Sequence, residues 1–168
     1  MKRSLIVAQT ADGLIGKDND LPWPRIKEDM KLFQDFRQGK TLIMGRNTWD
    51  SIPEKYRPFK NSENIIVSRS IEGRPEGTYL ARTLDQAEAI ARVLEKDCVY
   101  MGGRSIYKHA LTQADEMHIS WIKGNFEGNV FFPKIDWNNW KEISTTPYDA
   151  FDYVVYERAT PRLETNVQ

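Results

Sequence analysis

The most chemically informative residue is an acid on the apolar side of a predicted helix. Residues 26–37 have the spacing of an amphipathic helix, and Asp29 projects between Phe33 and Phe36 on its apolar face. Glu28 projects about 100° away, toward solvent. A carboxylate among apolar side chains has its charged form disfavoured, and such an acid is usually paired or functional. The pattern leaves two interpretations open: a structural ion pair with an arginine, or an acid that faces a ligand.

Residues suited to binding phosphate follow three predicted strands. Gly45-Arg46-Asn47-Thr48 and Gly102-Gly103-Arg104-Ser105 each link a strand to a helix, and Ser68-Arg69-Ser70 ends a third strand. Free amides at a helix start attract anions, glycine allows close approach, and arginine suits a phosphomonoester. Each junction alone is ordinary turn chemistry, whereas three together favour a nucleotide ligand. Neither a Gly-x-Gly-x-x-Gly fingerprint nor a P-loop is present in the sequence.

The elements that position these residues alternate between strand and helix for about 110 residues. Only strands are predicted after that point. A long loop over 11–24, rich in turn formers, lies between the first strand and the first helix. This order predicts an α/β fold, a single domain over 1–159 with a mixed, mostly parallel central sheet, helices on both faces and an antiparallel C-terminal hairpin. A flexible tail is expected over 160–168. Strands are predicted at 5–8, 41–44, 64–68, near Tyr79, and at 98–101, 117–122, 130–132, 139–145 and 151–158; helices are predicted at 26–37, 48–52, 83–95 and 105–111.

Composition argues against several classes of function. The 168 residues include 24 Lys plus Arg and 24 Asp plus Glu, so no basic field suggests nucleic-acid or membrane binding. Cys98 lies in an apolar run that predicts a buried strand, and His109 and His118 lack the spacing of metal ligands. We therefore expect a cytoplasmic, monomeric protein without a metal site.

The sequence resembles dihydrofolate reductase over residues 3–158. This resemblance implies that family's fold and its reaction, in which NADPH reduces 7,8-dihydrofolate to tetrahydrofolate for one-carbon metabolism. Hydride goes to pterin C6 and a proton to N5, and antifolate inhibitors are expected as further ligands. The matching motifs are Leu5-Ile6-Val7-Ala8, Ile15-Gly16, Leu21-Pro22-Trp23, Asp29 four residues before Phe33, Ile43-Met44-Gly45-Arg46-Asn47-Thr48-Trp49, Ile52-Pro53, Asn64-Ile65-Ile66-Val67-Ser68-Arg69, Met101-Gly102-Gly103, Glu127-Gly128, Phe132-Pro133 and Tyr153-Val154-Val155-Tyr156-Glu157.

The resemblance also implies roles for individual residues. Asp29 would bind the amino-pyrimidine edge of the pterin and favour protonation at N5 through a water, with Ser120 supporting the acid. The loop 14–24, with Leu21 and Trp23, would close over the nicotinamide. Substrate-binding residues would be Ile6, Val7, Ala8, Met30, Leu32, Phe33, Ile52 and Met101. NADPH would be bound by Ala8, Ile15, Gly45, Arg46, Asn47, Thr48, Ser68, Arg69, Gly102, Gly103, Arg104, Ser105, Ile106 and Tyr107, with Arg46 and Arg69 favouring the 2′-phosphate.

Two positions depart from the family pattern. The arginine that clamps the α-carboxylate of the folate glutamate tail normally stands two residues before Asn64, where this chain has Ser62. Losing such a charged hydrogen bond costs about 1.5–3 kcal/mol, and Lys60 or Arg57 are candidate substitutes. Asn129 stands where many bacterial members have an aspartate that braces the active-site loop.

Three alternatives to dihydrofolate reduction follow from these observations. Ser62 raises the alternative of a reductase for pterins that lack the tail. A non-catalytic nucleotide-binding domain is a second alternative, against which Asp29 and Trp23 argue. The reductase domain of riboflavin synthesis is a third, which Leu21-Pro22-Trp23 and Asp29 disfavour.

Overall fold

Short, continuously apolar runs form the central sheet, because strands covered on both faces carry apolar side chains on both sides. A computed structural model describes residues 1–18 and 20–160. The predicted order of strands and helices is confirmed there. In chain order the elements are β1 (Arg3–Thr10), β2 (Leu14–Gly16), α1 (Lys27–Phe36), β3 (Thr41–Gly45), α2 (Arg46–Ser51), β4 (Glu63–Val67), β5 (Tyr79–Ala81), α3 (Leu84–Leu94), β6 (Cys98–Tyr100), α4 (Arg104–Gln113), β7 (Glu116–Ile122), β8 (Val130–Phe131), β9 (Trp140–Pro147) and β10 (Phe151–Arg158).

The main sheet has eight strands in the order β5-β4-β3-β6-β1-β7-β10-β9. Every neighbouring pair from β5 to β7 is parallel. β10 runs antiparallel to both β7 and β9. The mixed, mostly parallel sheet with an antiparallel C-terminal hairpin is therefore as predicted.

Alternate side chains of the central strands enter two cores on opposite faces of the sheet. Ile43 and Tyr100 pack in one core with residues of α3 and α4, such as Ala87 and Ala110. Leu42, Met44 and Val99 pack in the other core, with side chains of α1 and α2. The period of two along a strand thus places helices on both faces, as the sequence predicts.

The active-site loop predicted over 11–24 contains a strand that the sequence pattern did not indicate. β2 pairs with β8 in a separate two-stranded sheet, so the strand predicted at 130–132 lies outside the main sheet. A Cβ at Gly128 would lie 2.5 Å from the Gly16 carbonyl oxygen, so glycine is required for this close approach. Three residues are too few to show a periodicity in the sequence.

Helix α3 begins with a side-chain cap. The Thr83 hydroxyl accepts a hydrogen bond from the Gln86 amide at 3.1 Å. The Gln86 side chain accepts from the Arg82 amide at 2.7 Å, one residue before the position that a capping box uses.

Two further expectations concern burial and the chain end. Cys98 is a buried free cysteine, as expected for a core strand. The tail expected over 160–168 lies outside the described residues except for Thr160. Among the residues that the structure describes, no helix has the length and apolar character needed to cross a membrane.

Candidate active site

A cavity of about 220 Å³ opens between α1 and the carboxyl-terminal halves of β1 and β7. Ligands of open α/β sheets bind at this edge, outside the carboxyl ends of the strands. The cavity is lined by nine residues, all of which the sequence analysis assigned to a site: Ile6, Val7, Ala8, Asp29, Met30, Phe33, Met101, Tyr107 and Ser120.

Asp29 is a partly buried acid whose one hydrogen-bond partner in the described chain is a serine. Ser120, on β7, donates from its hydroxyl to Asp29 Oδ1 at 2.5 Å. Burial raises the pKa of Asp29, and the Ser120 hydrogen bond partly offsets that increase by stabilising the carboxylate. Asp29 forms no salt bridge with any described residue. The structural ion pair left open by the sequence is thus absent there, whereas Glu28 is exposed.

Tyr107 joins two backbone carbonyls at the wall of the cavity. Its hydroxyl lies 2.8 Å from the Ile6 carbonyl oxygen and 2.9 Å from that of Met101. Burial, with a smaller contribution from the charge of Asp29, raises the pKa of Tyr107, so the phenol is neutral. The side chain therefore fixes the middle of β1 and the end of β6 against each other beside the acid.

Four residues assigned to the substrate or the catalytic loop are not among those that line the cavity. Trp23 is buried with Ile122 and Phe151, and Leu32 packs against that cluster. Ile52 is buried in the core that includes Phe33. Leu21 is exposed.

The carboxyl ends of β3, β4 and β6 lie side by side at one edge of the sheet, next to the cavity that Met101 lines. The Gly45 amide donates to the Gly102 carbonyl at 2.8 Å, which brings the two glycine junctions together. Arg46 donates from Nη1 to the Ser70 hydroxyl at 2.7 Å. Arg69 is exposed and forms no hydrogen bond or ion pair with the described residues. Two guanidinium groups and several hydroxyls therefore lie along one sheet edge, as the spacing predicts.

The two glycines after β6 have different surroundings. Gly102 has φ +99°, and a Cβ there would lie 2.8 Å from the Tyr107 ring. A Cβ on Gly103 would meet no protein atom within 4 Å. The open space beside Gly103, at the start of α4, leaves the backbone accessible to a phosphate group.

The other residues expected to bind the cofactor surround these strand ends. Asn47, Arg104 and Ser105 are exposed, Thr48 is half-buried and Ser68 is buried. Ile106 belongs to the core beneath α4, and Ile15 packs against the same core.

The cationic side chains near Ser62 are arranged differently from the sequence expectation. Arg57 donates to the Trp49 carbonyl at 2.9 Å and lines a separate cavity, and Lys60 is exposed. Arg37, which the sequence analysis did not assign to a site, donates from Nη1 to the Ser62 hydroxyl at 3.1 Å. The sequence feature that could have identified Arg37 is its position on the helix, four residues after Phe33 and eight after Asp29.

Asn129 contacts the active-site loop, as its position in the family suggests. Its side-chain oxygen accepts from the Asp18 amide at 3.2 Å, and its side-chain nitrogen donates to Asp18 Oδ1 at 3.3 Å. The neutral amide thus braces the loop with a donor and an acceptor.

Comparison with known proteins gives one family by sequence and by structure. The family described as dihydrofolate reductase matches residues 2–159. The dihydrofolate reductase of Sus scrofa is 38% identical over 178 positions, covering 91% of this chain and 96% of that protein. The dihydrofolate reductase of Bacillus subtilis is 34% identical over 163 positions, covering 92% and 94%. The structure of dihydrofolate reductase from Enterococcus faecalis, complexed with NADP(H) and RAB-propyl, aligns with a TM-score of 0.85 at 30% identity, covering 95% and 97%.

Proposed function

The chain belongs to the dihydrofolate reductase family, and we infer that it catalyses the NADPH-dependent reduction of 7,8-dihydrofolate to 5,6,7,8-tetrahydrofolate. One observation carries the assignment of chemistry to residues. Asp29 lies in an apolar cavity, held by Ser120 alone among the described side chains, beside strand ends that carry arginines and glycines. An acid with a raised pKa next to groups suited to phosphate is the arrangement that this reaction needs.

Asp29 would bind the pterin by its amino-pyrimidine edge. That edge presents two N–H donors, and a carboxylate accepts both in a bidentate pair. Ser120 occupies one lone pair of Oδ1 and fixes the plane of the carboxylate. The apolar wall, which includes Met30 and Phe33, suits the flat ring.

Asp29 would also raise the proton affinity at N5 of the bound pterin. Burial raises the pKa of this acid, which favours states in which the acid and the substrate share a proton. No side chain of the family pattern reaches N5, so we assign the final transfer to a water molecule. Catalysis by the protein then consists of positioning and proton supply.

The carboxyl ends of β3, β4 and β6 are suited to binding the phosphates of a dinucleotide. NADPH, when bound, supplies the hydride that adds to C6 of the pterin. The exposed Arg69 and the Ser70-bound Arg46 would hold the 2′-phosphate, because a guanidinium matches a phosphomonoester. Gly103, with open space at its Cα, would let the backbone approach the pyrophosphate.

The loop 14–24 would exclude water from the bound ligands. β2, at the start of this loop, pairs with β8, and Asp18 is held by Asn129. Leu21 is exposed, and Trp23 packs edge-on against Phe126 with ring centroids 6.1 Å apart. A loop anchored at one end and carrying an exposed apolar side chain is suited to closing over a ligand.

We assign two finer properties to the same site and chain. Protonated amino-pyrimidine antifolates would bind the Asp29 carboxylate, since the cavity is otherwise mostly apolar. The chain would act as a monomer in the cytoplasm.

The decisive experiment compares NADPH oxidation by the wild type with that by Asp29→Asn, using dihydrofolate as substrate. Because acid–base catalysis contributes roughly 10²–10⁴-fold, the variant should lose about that factor in kcat. Lower pH should restore part of the rate, since solvent then protonates N5. Glu28→Gln, one residue away and exposed, is the matched control and should keep wild-type turnover. Wild-type turnover by Asp29→Asn would refute the assignment of the acid.

A further inference from the structure

Arg37 is a nearly buried cation near the active site, without an acidic partner among the residues that the structure describes. Its side chain is part of a residue only 7% exposed, at the end of α1. No described carboxylate forms a salt bridge with it. Burial lowers the pKa of Arg37, which reflects the cost of removing its charge from water. A buried, unpaired charge is costly, so this arrangement points to an anion supplied by a ligand.

The guanidinium is held in one orientation by neutral acceptors. Nε donates to Gln34 Oε1 at 2.8 Å. Nη1 donates to the Lys60 carbonyl at 2.5 Å and to the Ser62 hydroxyl at 3.1 Å. The plane lies over the Phe59 ring, 4.9 Å from its centroid. Nη2 donates to none of the residues that the structure describes, so its two N–H groups remain available.

Helix α1 aligns this cation with the acid of the cavity. Asp29, Phe33 and Arg37 are spaced by four residues, and the rise per residue places Arg37 about 12 Å along the axis from Asp29. Phe33 lines the cavity and packs edge-on against Phe59, with centroids 5.4 Å apart. An acid, two aromatic rings and a cation are therefore linked in series, from Asp29 in the cavity to Arg37 at the end of α1.

Folate presents complementary groups in the same order. Its amino-pyrimidine donates hydrogen bonds, its benzoyl ring is aromatic and its glutamate carries carboxylates. We propose that Arg37 binds the α-carboxylate of the glutamate tail from helix α1, in place of the family arginine whose position holds Ser62. This inference rests on the proposed reduction of dihydrofolate and adds the means by which the tail is recognised.

The two cations first considered as substitutes are less well placed. Arg57 is bound to the Trp49 carbonyl and stacks on the Trp49 ring at 5.1 Å, beside a different cavity. Lys60 is exposed, so its charge is strongly hydrated and it gives a point charge without fixed geometry. The Ser62 hydroxyl instead positions the guanidinium, and it also donates to the Arg37 carbonyl at 2.7 Å.

The test is the preference for a substrate with the tail over one without it. The variant Arg37→Met keeps an unbranched stem over Phe59 and removes the charge. We expect the ratio of kcat/KM for dihydrofolate to kcat/KM for 6-methyl-7,8-dihydropterin to fall about tenfold to a hundredfold, chiefly through KM for dihydrofolate. A merely structural role would lower both values together and leave the ratio at its wild-type level, which would overturn the proposal.

Three further variants keep the result interpretable. The control Lys55→Met removes a surface cation that lies over a different aromatic ring. The ratio of the two kcat/KM values should stay at the wild-type value. In Arg37→Met with Ser62→Arg, the guanidinium returns to the family position, and the ratio should recover. Lys60→Met should leave the ratio intact, and a fall there without one in Arg37→Met would overturn the assignment.

Failure of folding and failure of the reaction have distinct signatures. If Arg37→Met does not fold, Arg37→Lys retains the stem and charge but loses the fixed donors, and the ratio should fall several-fold. An undiminished ratio in that variant would contradict the proposal. Absence of NADPH oxidation by the wild type with both substrates would instead refute the proposed function.

Discussion

Asp29 has two neighbours with opposite effects on its pKa. The apolar cavity disfavours the carboxylate, whereas the Ser120 hydroxyl donates to it and stabilises it. The second effect comes from a strand that is 91 residues away in the chain. The pKa of Asp29 therefore depends on burial in the cavity and on the Ser120 hydroxyl, and no local sequence pattern indicates the second contribution.

Replacing Ser120 should change the pH dependence of the reaction. In Ser120→Ala the donor is lost, the pKa of Asp29 rises further, and the acid limb of the kcat/KM profile moves to higher pH. Loss of one hydrogen bond to a charged group costs about 1.5 kcal/mol or more, so kcat/KM should fall by about tenfold on the acid limb and approach the wild-type value at pH well above the pKa in both enzymes. Steady-state rates from acid to neutral pH measure this.

The matched control for that experiment keeps the hydroxyl. Ser120→Thr should retain the wild-type pH limb, because the donor remains. Identical pH profiles for the alanine variant and the wild type would show that Ser120 does not act on the acid.

At the level of secondary structure, the proposed cofactor site consists of strand ends rather than of a contiguous motif. β3 and β6 are neighbours in the sheet, so Gly45 and Gly102 meet although they are far apart in the chain. The next strand, β4, adds Ser68 and Arg69 at the same edge. The parallel arrangement explains why three weak signals in the sequence form a single site.

Two glycine substitutions after β6 distinguish an effect on NADPH affinity from an effect on folding stability. In Gly103→Ala the new methyl group meets no protein atom, so stability should change by less than about 1 kcal/mol while NADPH affinity falls about tenfold or more. In Gly102→Ala the methyl group meets the Tyr107 ring at positive φ, and stability should fall by about 1–3 kcal/mol. Thermal unfolding and fluorescence titration with NADPH measure the two effects. Unaltered NADPH binding by Gly103→Ala would show that the phosphates do not bind at the backbone of Gly103.

At the scale of the whole molecule, charge is also buried in a cluster around Glu88. Glu88 on α3 accepts hydrogen bonds from Arg3, Tyr100 and His109 in the interior. Burial alone would raise the pKa of Glu88, but hydrogen bonds from His109 and Tyr100 and the charge of Arg3 lower it to about 2. This cluster ties β1, β6, α3 and α4 together through one carboxylate.

The Glu88 cluster predicts how stability depends on pH. Because the pKa of Glu88 is lower in the fold than its ordinary value of 4.5, its contribution is complete above that value and is lost as the pH falls toward about 2. Glu88→Gln leaves Arg3 without a partner and should lower the free energy of unfolding by about 3–5 kcal/mol at neutral pH.

Urea denaturation at several pH values tests this expectation. The exposed pair of Lys31 and Asp35 provides the control, since Asp35→Asn should change stability by less than about 1 kcal/mol. An equal loss of unfolding free energy in the two variants would show that the buried cluster stabilises the fold no more than an exposed ion pair does.

Local patterns were sufficient for the architecture and for the identity of the principal acid. Apolar runs of four or five residues mark the central strands, and helical spacing singles out Asp29 from Glu28. The order of elements then requires a mostly parallel sheet, because parallel strands need crossover connections. These features depend on residues close together in the chain, so the sequence alone reveals them.

The partners of the site residues depend on distances that no local pattern contains. Ser120 lies 91 residues from Asp29, Tyr107 lies 101 residues from Ile6, and the short β2–β8 pair joins segments more than 100 residues apart. The sequence indicated no role for Arg37, whereas the fold places its guanidinium over Phe59 and against Ser62. Burial and hydrogen bonding arise from packing of the completed sheet, and this packing alone turns that side chain into a candidate anchor for the substrate tail.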